Sequence, residues 1–140
     1  MKVMVFVKAT ADSEAGEMPD IEMFEAMGKY NEELANAGIL LSCDGLQPSA
    51  KGARVHFSGK DRTVSQGPFK ENQLVAGYWL WEVKSLEEAI EWVKRCPNPM
   101  MSDSDIDIRP LVEVEDFQGI ISQATAEREE RLRKKLPTQS

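Results

Sequence analysis

Arg62-Thr-Val-Ser-Gln-Gly-Pro-Phe-Lys-Glu-Asn-Gln-Leu-Val-Ala-Gly-Tyr-Trp-Leu-Trp-Glu-Val83 joins a turn, Gln66-Gly67-Pro68-Phe69, to the most apolar strand candidate in the chain. Val75, Gly77, Trp79, Trp81 and Val83 alternate with Leu74, Ala76, Tyr78, Leu80 and Glu82, the period of two that marks a strand. Both sets are largely apolar, so this strand is expected to be central and covered on both faces. Gly77 in its middle predicts a bulge or the close packing of another element.

Working outward, Ala53, Val55 and Phe57 alternate with Arg54, His56 and Ser58 before the turn Ser58-Gly59-Lys60-Asp61, so residues 53–66 read as a hairpin. A strand is expected over Ile39-Leu40-Leu41-Ser42-Cys43, weakening toward Pro48. Upstream, residues 19–37 carry Met23, Met27, Tyr30 and Leu34 at helical spacing, with Pro19 in the first turn and Gly38 ending the helix. Residues 9–18 read as an exposed loop, and Val3, Val5 and Val7 mark a first strand.

Beyond the central strand, Ser85-Leu86-Glu87-Glu88 is a capping box opening a helix, with Glu91 and Arg95 spaced for an i,i+4 ion pair. Pro97 stops it. Ile106, Ile108, Val112 and Val114 then alternate with polar and charged residues as an edge strand. From Phe117, Ile120, Ile121 and Ala124 suggest a last helix that dissolves into the charged run of residues 127–135. We therefore divide the chain into a domain, residues 1–115, and a helical, charged extension, residues 116–140.

Strand, helix, strand, hairpin, strand, helix, strand predicts an α+β fold of the split βαβ, ferredoxin-like kind, with both helices on one sheet face. The opposite sheet face stays apolar and uncovered, which predicts a homodimer packed sheet to sheet. A chain of 140 residues that is 41% hydrophobic can bury such a core. Its formal charge of −7 argues against general contact with nucleic acid or anionic membrane. No apolar run reaches the roughly 18 residues of a membrane span, and the first residues read as a strand rather than a signal segment. Cys43 and Cys96 lack metal-ligand spacing and read as free thiols of a cytoplasmic protein. No metal or cofactor is expected.

Candidate functional residues are few. Asp44, beside Gly45 after a strand, can act as a base, hold a ligand, or satisfy turn amides. His56 is the one histidine, the side-chain type most often used as a general base, yet a hairpin also tolerates it as an ordinary surface residue. Gln66, Gly67, Pro68 and Phe69 can shape a ligand loop or simply aim the next strand. Arg54 can clamp a carboxylate, and Tyr78 can donate a proton or pack at an interface. The expected ligand is a small, anionic organic molecule in a cleft between sheet, hairpin and Gln66 turn. Two other readings stay open: a lyase or isomerase using Asp44 or His56 on a small carboxylic or aromatic compound, and a structural dimer without ligand.

Several of these segments also resemble one family. Met1-Lys-Val-Met-Val-Phe-Val-Lys, Lys29-Tyr-Asn-Glu-Glu-Leu, Asp44-Gly-Leu-Gln-Pro, Gly67-Pro-Phe-Lys-Glu, Gly77-Tyr-Trp-Leu-Trp, Glu88-Ala-Ile-Glu-Trp and Arg95-Cys-Pro look like YCII-related proteins, and more narrowly their DGPF branch. The resemblance implies a ferredoxin-like, dimeric α/β barrel in the cytoplasm. It implies no single activity, although related proteins include a dehydrochlorinase of chlorinated aromatic intermediates. Where the family turn usually begins with aspartate this chain has Gln66, and Asp44 stands where a glutamate is common. An amide can hydrogen-bond a ligand but cannot accept a proton at neutral pH.

Overall fold

In chain order the elements are β1 (Lys2–Lys8), α1 (Ala11–Glu14), α2 (Ile21–Asn36), β2 (Leu40–Gly45), β3 (Ala53–Ser58), β4 (Asp61–Gln66), β5 (Val75–Glu82), α3 (Leu86–Lys94), β6 (Ile106–Pro110) and α4 (Gln123–Lys135). Short 3₁₀ turns occupy Ser49–Lys51 and Val114–Phe117. This computed structural model describes residues 1–70, 74–117, 119–120 and 122–137. Four strands form one sheet in the order β2-β5-β1-β6 with every pair antiparallel, and β3 pairs with β4 in a separate two-stranded sheet. The result is the mixed α+β, ferredoxin-like arrangement that the order of elements predicts.

Val3, Val5 and Val7 lie opposite Trp81, Trp79 and Gly77, and Ile108 and Ile106 continue two of these rows on β6. That face is the buried one: Val3, Val5, Trp81, Leu34 and Ala89 are inaccessible, with Tyr30, Ile39, Trp79 and Val83 nearly so. Tyr30, Trp79 and Trp92 meet edge to face, at 6.0 Å between Tyr30 and Trp79 and 6.4 Å between Tyr30 and Trp92. The Tyr30 hydroxyl donates to the Trp92 carbonyl at 2.5 Å, satisfying the polar end of a buried ring. The reverse face carries Met4, Phe6, Tyr78 and Leu80, all half-buried, so within one chain β5 is covered on one side rather than two.

Gly77 has both expected consequences. The β1–β5 register slips between Val7 and Lys8, and a Cβ on Gly77 would lie 3.1 Å from the Asp44 carbonyl of β2. Gly38, at φ 75°, ends α2 as read. Gly28, by contrast, lies inside α2 at an exposed position where an added Cβ meets nothing within 4 Å. Gly28→Ala should therefore raise stability by about 0.5–1 kcal/mol through reduced freedom of the unfolded chain. Chemical denaturation should show a higher midpoint at unchanged m-value.

Several local expectations give way. Asp20, not Pro19, opens α2, because its carboxylate accepts the Met23 amide at 2.9 Å. Residues 9–18 are not simply loop: Thr10 and Ser13 form a reciprocal capping box that makes the short helix α1. Glu91 pairs with Lys94 at 3.2 Å instead of Arg95, whose guanidinium stacks 3.8 Å over Trp92. The last strand ends at Pro110, and Val112 and Val114 are exposed. The terminal helix is displaced downstream, since Gly119 at φ 81° interrupts the chain and Ser122 caps Thr125 at 3.1 Å. It runs through the charged segment, whose Glu, Arg and Lys are good helix formers; Lys134–Glu130 at 3.6 Å closes one turn. Ile121, assigned to that helix from sequence, lies outside the described residues.

Candidate functional site

A cavity of about 360 Å³ opens between the sheet and the first half of α2. Gly77 and Trp79 of β5, with Val7 and Cys43 from the neighbouring strands, line it from the sheet. Met27 and Asn31 reach it from α2; Met18, Pro19 and Phe24 lie at the start of that helix, and Pro99 and Met100 come from the loop after α3. Helical periodicity puts Met27 and Asn31 one turn apart on a single face. Because Gly77 contributes no side chain, the sheet side stays open next to Trp79.

Polar groups in this lining are Asn31, Cys43, Asp44 and Tyr78; no lysine, arginine or histidine lines it among the described residues. Asn31 Oδ1 accepts the Trp79 indole N–H at 2.8 Å, which fixes the amide so that its NH₂ remains a donor. Tyr78 donates its hydroxyl to Asp44 Oδ2 at 3.3 Å, the two standing opposite each other on β5 and β2. Asp44 therefore holds a side-chain partner and is not consumed by turn amides. The Asp44 and Tyr78 side chains stand on the reverse sheet face, because this pair alternates with the Cys43–Trp79 pair that faces α2.

The thiols are poor nucleophiles. Burial, and then the neighbouring Asp44 carboxylate, push the Cys43 thiol above its ordinary value; burial pushes Cys96 from 9.0 up to about 11. Such a rise cuts the Cys96 thiolate at neutral pH by about 100-fold, so iodoacetamide should label it that much more slowly than an unfolded control. The unfolded thiol ionises first, so Cys96 stabilises the fold below pH 9.0 and loses that contribution as pH climbs toward about 11.

The Gln66 turn is used differently from the ligand loop foreseen. The Gly67 amide donates to the Gly52 carbonyl at 3.1 Å and the Phe69 amide to Ser49 Oγ at 3.0 Å. Ser49 in turn gives its own amide, at 3.1 and 3.2 Å, and its hydroxyl, at 2.5 Å, to the Glu14 carboxylate. Pro68 has no N–H, so the amides of Gly67 and Phe69 that could have met an anion are both satisfied internally. Arg54 joins this cluster with its guanidinium 4.0 Å over the Phe69 ring. The turn is a clasp joining α1, the 3₁₀ turn and the base of the β3–β4 ribbon.

His56 sits apart on that ribbon, paired with Thr63 and exposed. The structure thus brings Asp44 and Tyr78 together on the reverse sheet face, and Gln66, Gly67, Pro68, Phe69 and Arg54 together at the clasp. It does not bring His56 to Asp44, because three ribbon positions, about 10 Å of strand, already separate His56 from the Ala53–Gln66 pair at the ribbon's base. Met27 was read only as a helix-face residue and Asn31 was not singled out; the signal for Asn31 was its polarity, one turn from Met27. Glu14 gave no signal, since its partner Ser49 is distant in sequence.

The YCII-related domain model matches residues 1–115, so the chain belongs to the YCII-related family. No curated protein matches. Among solved structures, the chain is similar to a 5-chloro-2-hydroxyhydroquinone dehydrochlorinase (TftG) from Burkholderia phenoliruptrix AC1100, in complex with 2,5-dihydroxybenzoquinone. That similarity has 15% identity and a TM-score of 0.41, and covers 76% of this chain and 91% of the other. No described helix is long and apolar enough to cross a membrane.

Proposed function

We propose that this YCII-related protein, of the DGPF branch, binds a small, mostly apolar, uncharged organic molecule in the cavity beside Trp79. The observation that carries this reading is the lining itself: apolar walls, a fixed amide at Asn31 and no cationic side chain among the described residues. An apolar site without a cationic partner leaves an anion to bear its full desolvation cost, which an uncharged molecule does not meet. This reading sets the ligand away from the Gln66 clasp and drops the negative charge expected from sequence.

Two matched fluorescent probes test this. N-phenyl-1-naphthylamine and its anionic relative 8-anilinonaphthalene-1-sulfonate share a ring system and differ by one sulfonate. The neutral probe should bind at least about tenfold more tightly. Equal or stronger binding of the sulfonate would remove the proposal.

The Tyr78–Asp44 hydrogen bond favours a second reading, in which Asp44 takes a proton from a substrate held against the reverse sheet face while Tyr78 steadies the carboxylate. On that reading Asp44→Asn keeps ligand affinity and loses turnover. Loss of both together would leave Asp44 a binding residue only.

The same proposal makes the chain one subunit of a cytoplasmic homodimer, a dimeric α/β barrel in which a second copy covers Met4, Phe6, Tyr78 and Leu80. Half-buried apolar side chains on the open sheet face support it. Light scattering should return twice the mass of one chain at micromolar concentration, and a steady monomer would contradict it.

A further inference from the structure

The β3–β4 ribbon is exposed along its whole length, and two strands on their own are marginal in water. One of its faces sets out Val55, Phe57 and Val64, 47%, 66% and 61% exposed. Arg62 lies on the same face, 4.4 Å over the Phe57 ring, and Lys60 stands at the tip. Asp61, between them, pairs with Ser58 on the other face, so the ribbon is an apolar strip whose end carries a net positive charge.

The cavity mouth has the opposite character. Met18 and Phe24 line it at 72% and 53% exposure, with Ile21 beside them at 75%. Glu17, Asp20, Glu22 and Glu25 are interleaved with these residues, and residues 17–25 contain no base. Ribbon and mouth are complementary in both charge and apolarity. Both are exposed in the same chain, so a ribbon does not cover its own mouth.

We propose that the ribbon of each subunit caps the cavity mouth of a second copy of this chain. The inference rests on the homodimer reading above and adds to it a contribution from the partner to the site. Reach permits it: strands of six residues extend about 20 Å, while sheets packed face to face lie about 10 Å apart, so a ribbon can pass the partner's sheet to its helix side. Two-fold symmetry makes the contact twice, and each copy closes the other's cavity over the bound molecule. Phe57 and Val64 then exclude water above Trp79, and the Lys60 and Arg62 charges meet Glu22 and Glu25.

Charge exchange tests the contact. Lys60→Glu with Arg62→Glu should raise the dimer dissociation constant by about tenfold and weaken N-phenyl-1-naphthylamine binding in step. Glu22→Lys with Glu25→Lys should do the same. Mixing the two variants should restore both quantities, because each ribbon in the mixed dimer then meets a mouth of opposite charge. A dimer indifferent to these changes, with no preference for mixed pairs, overturns the capping contact while leaving the dimer standing; that result is also the one expected if the ribbon serves a different, acidic protein. A wild-type chain that stays monomeric removes the dimer and the capping contact together.

Discussion

Gly67→Ala should cost about 3 kcal/mol of stability, a large share of the roughly 5–15 kcal/mol available to a domain of this size. The added Cβ would lie 1.7 Å from the Ser49 carbonyl oxygen and 2.6 Å from its carbon. Both are backbone atoms, so no rotamer relieves the clash and the turn must move away from the 3₁₀ segment. Moving it breaks the Phe69 bond to Ser49 and loosens the Glu14 carboxylate that holds Ser49. Gly45→Ala is the matched control, since a Cβ there meets nothing within 4 Å. It should change stability by no more than about 0.5 kcal/mol. Urea denaturation of both variants measures the difference, and equal midpoints would refute the clasp.

Cys43→Phe should reduce affinity for N-phenyl-1-naphthylamine at least about tenfold by occupying the cavity. Cys43 pairs with Trp79 across β2 and β5 and lines the cavity, so a ring at this position projects into the space the ligand would take. Phenylalanine suits a strand, and the open volume accepts the ring, so the stability change should stay within about 1 kcal/mol. Loss of affinity with an unchanged unfolding midpoint separates filling from unfolding. Undiminished affinity would place the molecule elsewhere.

Periodicity is why the sheet and the two main helices were readable. Val3, Val5 and Val7 at spacing two, and Tyr30 and Leu34 at spacing four, report burial directly, and each is buried. Gly38 and Gly77 carried backbone information that the fold uses as read. Boundaries failed where side-chain hydrogen bonds decide them, at Thr10 with Ser13 and at Ser122 with Thr125.

The site was legible only in part. Asp44 and Tyr78 were picked out, but their meeting depends on the β2–β5 register, which no local pattern specifies. The Gln66 turn looked like a ligand loop because glycine leaves amides exposed; distant groups, Gly52 and Ser49 backed by Glu14, take those amides instead. His56 stood out as the chain's single histidine and is an exposed ribbon residue.

The most direct test of the cavity is amide and indole nuclear magnetic resonance during titration with N-phenyl-1-naphthylamine. The Trp79 indole N–H is bonded to Asn31 at the cavity, whereas Trp81 is inaccessible and lines no part of it. Saturation should shift the Trp79 indole and the Asn31 side-chain amide and leave the amides of Ser49, Gly67 and Phe69 in place. Shifts confined to Ser49, Gly67 and Phe69, with Trp79 unmoved, would contradict the account and return the ligand to the Gln66 turn.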